Sequence, residues 1–277
     1  MVYKKVFAAF FKYFILVISA LTVLLPIWLL FVSTFRQSVT ILRYPPTFWP
    51  ESFNLENYVF IMTSPFHTFP RWFFNSFFVS VANTLLVMLT SSLAAYAFAK
   101  RDFYGKNVIM SVIIASMMFP TIITLIPSFL IVAGLGWINS YPGLIFPSVA
   151  SAFGVFLVTQ FMKTIPNSLV ESARMDGSNE FRTFLHIVLP ITLPAMGVLA
   201  IFTFFTQWSS LMWPMVIINE SKMMTLPLGI STMHTTTNQN QGAIMAATFF
   251  SFLPVIVVFM FMRETFVEGI TAGSVKG

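Results

Sequence analysis

Long apolar segments alternate with shorter polar connectors along the 277 residues of this chain. The apolar segments span residues 13–35, 73–99, 108–133, 143–162, 191–218 and 243–262. An α-helix rises by about 1.5 Å per residue, so ~20 apolar residues are enough to cross the hydrocarbon of a bilayer. The pattern therefore predicts an all-α integral membrane protein with six transmembrane helices, built as a single domain over residues 1–277.

One connector, residues 163–190, is the longest charged stretch and has helical signals of its own. Ser168 and Glu171 have the spacing of a capping box, which predicts a helix that begins at Leu169. Gly177 stands where helices often end in a left-handed residue. The connector is therefore predicted to form two short helices joined at Gly177.

The second of these helices is predicted to run to about Val188. Its apolar residues recur at i, i+3, i+4 and i+7, which predicts a single apolar stripe of Phe181, Phe184, Leu185 and Val188. Pro190 and Pro194 mark the expected bend into the fifth apolar segment.

The basic residues divide unequally between the two sides that six spans would create. Eleven of the 15 fall on the side of the N-terminus and the charged connector. They are Lys4, Lys5, Lys12, Lys100, Arg101, Lys106, Lys163, Arg174, Arg182, Arg263 and Lys276. Because cytoplasmic loops are enriched in Lys and Arg, both termini and residues 163–190 are predicted to lie in the cytoplasm.

Composition excludes several classes of protein. Hydrophobic residues make up 57% and charged residues 9% of the chain, whereas about a quarter of the residues in soluble domains are charged. Cysteine is absent, so there is no disulfide, thiolate metal site or thiol nucleophile. In a membrane protein the net charge of +6 reflects basic cytoplasmic loops, so no nucleic-acid partner is expected.

Prolines and a glycine interrupt two of the apolar segments. Pro120 and Pro127 lie in the third segment, and Pro147 and Gly154 loosen the fourth. Broken helices are tolerated where the backbone borders a cavity or other protein, so they accompany pathways that open and close. Proline kinks also occur in membrane helices without such a role, and the residues leave both explanations open.

A polar cluster in the fifth segment is the candidate substrate path, and it consists of Gln207, Trp208, Ser209 and Ser210. Polar groups at membrane depth are costly unless they face the helix bundle or a water-filled path. A ring beside amide and hydroxyl groups also suits a sugar, whose C–H faces stack while its hydroxyls find hydrogen-bond partners. An interfacial aromatic belt is the alternative for Trp208 and Trp213.

No catalytic, redox or metal-binding pattern is visible. The histidines His67, His186 and His234 lie in different connectors, and the nine carboxylates have no metal-ligand spacing. The phosphate-binding G-x-x-x-x-G-K-[ST] pattern is absent as well. The chain is therefore predicted not to be an enzyme. Two other classes stay open but lack the residues they need. An ion-driven secondary transporter would need mid-span carboxylates, and none lies mid-span here. An intramembrane enzyme would need a nucleophile–base pair or a metal site, and neither pattern is visible.

Residues 163–190 also carry a family motif. Glu171-Ser172-Ala173 is followed by Asp176-Gly177 and then by Ile187-Val188-Leu189-Pro190. This order resembles the EAA loop of ABC-importer permeases, with Ser172 in place of the first alanine. In that family the loop forms a coupling helix that docks on a cytoplasmic ATPase. The resemblance implies ATPase coupling for Glu171, Ser172, Ala173, Arg174, Met175, Asp176, Gly177 and Phe181.

Further motifs resemble the carbohydrate permeases of the maltose-permease type. They are Ser92–Ala99, Met117–Pro120, Leu125–Pro127, Tyr141–Ile145 and Gly269–Gly277. Some details resemble the raffinose or multiple-sugar branch in particular. Around Trp208 the family often has W-N-[DE]-x-x-W-P, whereas Ser209 and Ser210 replace the polar pair here.

The resemblance implies a multi-pass subunit of the cell membrane that imports a sugar, with an oligosaccharide as the expected substrate. A second, homologous permease would complete the pathway, and alternating access would move the sugar. An ATPase dimer would use ATP and Mg²⁺, and no cofactor is expected on this chain itself. An extracellular sugar-binding protein or lipoprotein would deliver the substrate. The outer connector 219–242 is either a flexible polar loop or a contact for that protein.

Overall fold

The computed structural model describes residues 2–37, 41, 48–50, 52–64, 68–236 and 240–272. Every regular element in these ranges is helical, which confirms the all-α class. The helices are α1 (Val2–Thr34), α2 (Glu56–Thr63), α3 (Phe69–Lys100), α4 (Lys106–Ser116), α5 (Thr121–Gly134), α6 (Tyr141–Ile145), α7 (Ala152–Thr164), α8 (Asn167–Met175), α9 (Glu180–Thr183), α10 (Leu189–Trp208), α11 (Met212–Ile217), α12 (Leu226–Thr236) and α13 (Gln241–Ala272). Two 3₁₀ turns (Phe146–Ser148 and Ser221–Met223) and a π-helical stretch (Phe184–Val188) join some of them.

Several helices are long and apolar enough to cross a membrane. In the described ranges they are Ala9–Thr34, Phe69–Lys100, Glu180–Trp208 and Gln241–Phe261. Two helix pairs meet the same criterion together but are bent: α4 with α5 by 101°, and Tyr141–Ser148 with α7 by 46°. The number of spans is six if each bent pair crosses once, so the six-span topology stays a prediction.

The fifth apolar segment differs from its predicted bounds, 191–218, at both ends. The helical conformation begins at Glu180 and continues through the π-helical stretch into α10, so Pro190 and Pro194 do not interrupt it. Pro190 directly follows the π-helical stretch Phe184–Val188, whose wider i→i+5 turn leaves more room for a proline ring than an α-helical turn does. At the other end α10 stops at Trp208. The ring of Pro214 would crowd the carbonyl four residues earlier in a continuous helix.

The chain divides into two compact units. The first comprises residues 1–70 and 229–253, and the second comprises residues 71–228 and 254–277. In the first unit Asn57 on α2 donates to the carbonyl oxygens of Thr34 and Arg36, both at 2.8 Å. The Tyr58 hydroxyl donates to Thr34 Oγ1 at 2.7 Å. These bonds fasten α2 to the end of α1.

Two apolar clusters form the core of the second unit. The first cluster includes Tyr96, Met162, Val170, Phe184 and Val188. The second includes Val79, Val132, Leu144 and Ile217. Helix α3 contributes to both clusters and therefore runs along the whole core of this unit.

Polar side chains at the start of α3 hold the connector that follows α11. Trp72 Nε1 donates to the carbonyl oxygen of Ser221 at 2.8 Å. Asn75 Nδ2 donates to the carbonyl oxygens of Lys222 at 2.9 Å and Met224 at 2.8 Å. The predicted loop 219–242 thus contains ordered structure, including the helix α12. Residues 237–239 of its polar run lie outside the described residues.

Candidate functional site

The charged connector 163–190, which we call the coupling loop after its predicted role, contains α8, and this helix starts earlier than predicted. It begins at Asn167, and Pro166 before it has φ −59° and ψ 136°. An N-cap residue needs non-helical backbone angles. Pro166 has such angles, whereas Ser168 lies inside the first turn. No side-chain bond caps this described helix start, so the predicted capping box of Ser168 and Glu171 is wrong.

The predicted left-handed glycine at the end of α8 is confirmed. Gly177 has φ +79°. Its N–H donates to the carbonyl oxygen of Arg174 at 3.0 Å, and the N–H of Ser178 donates to that of Ala173 at 2.9 Å. This pair of bonds is the Schellman motif, which satisfies carbonyls that a helix end leaves open. The turn therefore fixes the direction in which the chain leaves α8.

The predicted apolar stripe of the second helix does not form. Asn179 caps α9 by accepting from the N–H of Arg182 at 2.9 Å, and the π-helical stretch follows directly. Its wider i→i+5 turns shift the phase of the side chains. Phe184 and Val188 are buried, whereas Phe181 and Leu185 are exposed. The four residues thus divide into two i, i+4 pairs on different surfaces.

Most of the residues proposed for ATPase coupling are exposed. Val170 and Ala173, three positions apart on α8, are buried and anchor the helix to the unit. The exposed members are Glu171, Ser172, Arg174, Met175, Asp176, Gly177 and Phe181. Met175 is 88% exposed and Phe181 is 66% exposed. Contiguous apolar patches mark surfaces that bind another protein, whereas single exposed apolar side chains are common.

Glu180 joins three elements, a role that the sequence analysis missed. Its Oε1 accepts from Arg101 Nη2 at 2.9 Å and from Arg174 Nε at 3.0 Å. Its Oε2 accepts from the hydroxyl of Tyr96 at 2.8 Å. Arg174 belongs to α8, whereas Tyr96 lies in the last turns of α3 and Arg101 just follows it. The only sequence signal was a carboxylate among basic residues, since the partners are distant along the chain.

Lys100 makes a second contact between α3 and the coupling loop. Its Nζ donates to the carbonyl oxygen of Ile165 and, at 3.1 Å, to Asn167 Oδ1. The basic connector after α3 and the coupling loop therefore lie at the same end of the second unit, as the predicted topology requires.

A cavity of about 350 Å³ lies among α3, α10 and the break between α6 and α7. It is lined by Asn83, Val87, Ser148, Ser151, Phe153, Phe202, Thr203, Thr206 and Gln207. None of these lining residues is charged, and their amides and hydroxyls can both donate and accept hydrogen bonds. The lining suits a neutral polar molecule that also has apolar faces.

Side chains from neighbouring helices satisfy the backbone of the broken fourth segment. Four carbonyl oxygens receive such bonds: Gly143 from Trp213 Nε1 at 2.9 Å, Leu144 from Gln207 Nε2 at 3.4 Å, Ile145 from Asn83 Nδ2 at 2.9 Å and Val149 from Thr90 Oγ1 at 3.1 Å. Within a bilayer an unsatisfied backbone group costs several kcal/mol. The polar residues at membrane depth therefore stabilise the break beside the cavity.

The four residues of the candidate substrate path occupy different surroundings. Gln207 lines the cavity. Trp208 is buried, with its ring centroid 5.9 Å from that of Phe204 and 5.5 Å from that of Phe73. Ser209 Oγ donates to the carbonyl oxygen of Phe205 at 2.7 Å, and the N–H of Ser210 donates to that of Gln207 at 3.3 Å. Of the four candidate residues, only Gln207 therefore belongs to the described part of the cavity wall.

A family model decides the identity of the chain. The model of the binding-protein-dependent transport system inner membrane component matches residues 87–271. The matched stretch contains the coupling loop, the broken segment and nearly all of the cavity wall. The chain belongs to this family. It is a permease subunit, embedded in the membrane by several apolar helices.

Similar permeases are known across nearly the full length of the chain. The permease is 34% identical over 260 residues to the arabinooligosaccharides transport system permease protein AraQ of Bacillus subtilis (strain 168), covering 93% of this chain and 92% of the relative. It is 31% identical over 268 residues to the sn-glycerol-3-phosphate transport system permease protein UgpE of Salmonella typhi, covering 94% and 95%.

A solved structure supports the fold. The permease superposes with a TM-score of 0.81 and 21% identity on a chain from the crystal structure of a bacterial ABC transporter involved in the import of the acidic polysaccharide alginate. The match covers 93% of this chain and 96% of that chain. With the family match, the comparisons confirm the resemblance to sugar permeases of ABC importers. The permease is thus a transport component and not the catalytic subunit of its system.

No clustering of potential metal ligands is evident in the part of the permease that the structure describes. There, no group of three or more His, Asp or Glu side chains is placed to hold a metal ion.

Proposed function

We propose that this permease subunit moves a neutral oligosaccharide into the cytoplasm by alternating access with a second, homologous permease. A separate ATPase dimer, which uses ATP and Mg²⁺, drives the cycle through the coupling loop. An extracellular sugar-binding protein or lipoprotein delivers the substrate. The observation that carries the proposal is the exposed pair Met175 and Phe181 beside the rigid turn at Gly177.

The coupling role follows from the surroundings of that pair. Val170 and Ala173 are buried on the inner face of α8. A rotation of the helix that buried its exposed face would expose these two side chains. Met175 is unbranched and adapts its shape to a groove, while Phe181 offers a rigid aromatic face. Burial of such side chains contributes about 1.5–3 kcal/mol each. A docked ATPase would bury both and would hold α8 and the turn as one body.

The substrate class follows from the cavity and from the relatives. One relative transports arabinooligosaccharides and another sn-glycerol 3-phosphate, according to their names. A phosphate or an acidic sugar would need a cation in the pathway, whereas this cavity is lined by amides, hydroxyls, Val87 and two phenylalanines. Its volume of about 350 Å³ falls in the usual range for small-molecule sites, about 300–1,000 Å³. Neutral sugar units match this lining best.

The orientation in the membrane follows from charge. Lys100, Arg101 and Arg174 meet at the end of the second unit that carries the coupling loop. Since cytoplasmic loops are enriched in basic residues, this end and both termini face the cytoplasm. The connector after α11 then faces outwards. This connector is part of the surface that contacts the sugar-binding protein.

The proposal is tested by purifying the tagged chain from its native membranes in mild detergent. We expect an ATPase subunit and a second permease to co-purify with it. Uptake of labelled sugars by the same cells should favour neutral oligosaccharides such as arabinotriose over sn-glycerol 3-phosphate. A chain that purifies without an ATPase would contradict the coupling role. Preferred uptake of sn-glycerol 3-phosphate, lost when the gene is deleted, would contradict the substrate class.

A further inference from the structure

Polar side chains connect helix α3 to both ends of the coupling helix α8, directly at its start and through Glu180 at its end. At the start of α8, Lys100 binds the carbonyl oxygen of Ile165 and the side chain of Asn167. At the end of α8, Arg174 reaches Tyr96 through the shared carboxylate of Glu180. The chain joins α8 covalently to α7 and α9 only, so α3 depends on these side chains for its polar connection to α8.

The same helix reaches the cavity and the outer connector. Asn83 lies ~20 Å along α3 from Tyr96, at about 1.5 Å per residue, and binds Ile145 and Ser148 at the break of the fourth segment. Asn75, further along, holds the connector after α11. α3 is a continuous α-helix of 32 residues, whereas the two helix pairs that follow it are bent by 101° and 46°. Secondary-structure elements without such breaks are among the structures that carry coupling between distant sites.

We propose that Glu180 is a positioning residue that locks α8 to α3, so that a movement of α8 reaches the cavity through Asn83. The inference rests on the proposed function, because it assumes that an ATPase moves α8. Glu180 suits the role by geometry. Arg101 and Arg174 share its Oε1, and Tyr96 occupies its Oε2. The carboxylate of Glu180 therefore connects Arg174 on α8 with Tyr96 on α3 and with Arg101 in the connector that follows α3.

The energy of these contacts is consistent with positioning rather than with stability. The side chains of Glu180, Arg101 and Arg174 are 38%, 42% and 39% exposed. Ion pairs this exposed typically contribute little to the free energy of folding. The apolar core beneath, including Val170 and Phe184, remains when the charge is removed. Neutralising Glu180 should therefore leave the subunit folded and the exposed docking surface unchanged.

The absence of cysteine from the chain allows a direct test. Thr206 lines the cavity, so Thr206→Cys introduces a unique label site on this subunit there. The complex that co-purifies with the chain is reconstituted in proteoliposomes, and the rate of maleimide labelling is measured with and without Mg-ATP and vanadate. We expect nucleotide to change the labelling rate. Glu180→Gln should reduce that change roughly fivefold or more, which is the lower range of typical allosteric coupling.

Matched variants separate positioning from general damage. Asp102→Asn removes an ion pair with Lys106 at 3.1 Å in the same connector, without touching α8, and should leave the response unchanged. Glu180→Asp keeps the charge and should recover part of the response. If Arg101 and Glu180 act through one contact, Arg101→Gln should add little to Glu180→Gln, because effects within one network are not additive.

The outcomes distinguish the inference from the proposed function. Failure of an ATPase to co-purify with the unsubstituted chain would overturn the proposed function and this inference with it. If the ATPase co-purifies and Glu180→Gln keeps the full nucleotide response, the inference alone is overturned. Loss of ATPase binding in Glu180→Gln would also overturn it, since Glu180 would then belong to the docking surface.

Discussion

Replacement of Gly177 offers the sharpest test of the coupling loop. Its φ of +79° lies in the left-handed region, which costs an L-residue roughly 1–2 kcal/mol and a β-branched residue more. A Cβ at this position would meet no atom within 4 Å. Gly177→Val therefore strains the backbone of the turn, while its Cβ meets no neighbouring atom. The expected penalty destabilises the turn that the Schellman hydrogen bonds hold. It lowers the population of this turn conformation relative to its alternatives by a factor of roughly 5–30.

A matched glycine provides the control for this prediction. Gly136 has φ +70°, and a Cβ there would also meet no atom within 4 Å, but it lies in the connector between α5 and α6. Gly136→Val therefore carries the same strain away from the coupling loop. Gly177→Asn is a second control, because asparagine tolerates the left-handed region.

The assay for the glycine variants compares ATP hydrolysis with sugar transport in reconstituted complexes. Gly177→Val should insert and pair as the unsubstituted chain does, yet bind the ATPase more weakly or hydrolyse ATP without stimulation by the loaded binding protein. Gly136→Val and Gly177→Asn should remain coupled. Equal loss of coupling in Gly136→Val and Gly177→Val, or normal coupling in both, would refute the assignment of the turn as a docking element.

Three further predictions concern the cavity and the packing around it. Asn83→Leu removes one of two side-chain donors to the carbonyl oxygen of Ile145, the other being the Ser148 hydroxyl at 3.2 Å. It should destabilise the complex by about 0.5–1.5 kcal/mol, the net contribution of one hydrogen bond, measured as a lower Tm in detergent; an unchanged Tm would mean that the break does not need the amide. Gly154→Ala places a Cβ against Ser91 Oγ and should lower the Tm, while adding Ser91→Ala should restore it; no rescue would refute the contact. Gln207→Leu should lower uptake of the cognate sugar and leave assembly unchanged, and normal uptake would remove Gln207 from the substrate path.

Local chemistry explains what the sequence predicted correctly. The long apolar segments require helices in a membrane because no other conformation of a single segment satisfies its backbone. Gly177 was predictable because the left-handed turn depends on one residue and its immediate neighbours. The substrate path at Gln207, Trp208, Ser209 and Ser210 stays a prediction, which rests on the cost of polar groups at membrane depth.

The predictions that failed depended on the exact register of a helix or on contacts between residues that are far apart in the sequence. The predicted capping box is wrong because α8 begins at Asn167, directly after Pro166, so Ser168 lies inside the first turn. The spacing of Ser168 and Glu171 matches the motif, but its position relative to the helix start does not. The apolar stripe failed because a π-helical stretch changed the period between Phe181 and Val188. Glu180 was missed because its partner Tyr96 lies 84 positions away. The carboxylate among basic residues did not indicate which distant residues it would bind.

Transport by the purified complex tests the central claim most directly. The complex is reconstituted in proteoliposomes with Mg-ATP at the ATPase side and the sugar-loaded binding protein at the other. The account predicts that labelled sugar crosses only when ATP is hydrolysed, and that Gly177→Val separates hydrolysis from transport. Sugar movement driven by an imposed proton or sodium gradient without ATP would contradict the account and would favour an ion-driven transporter.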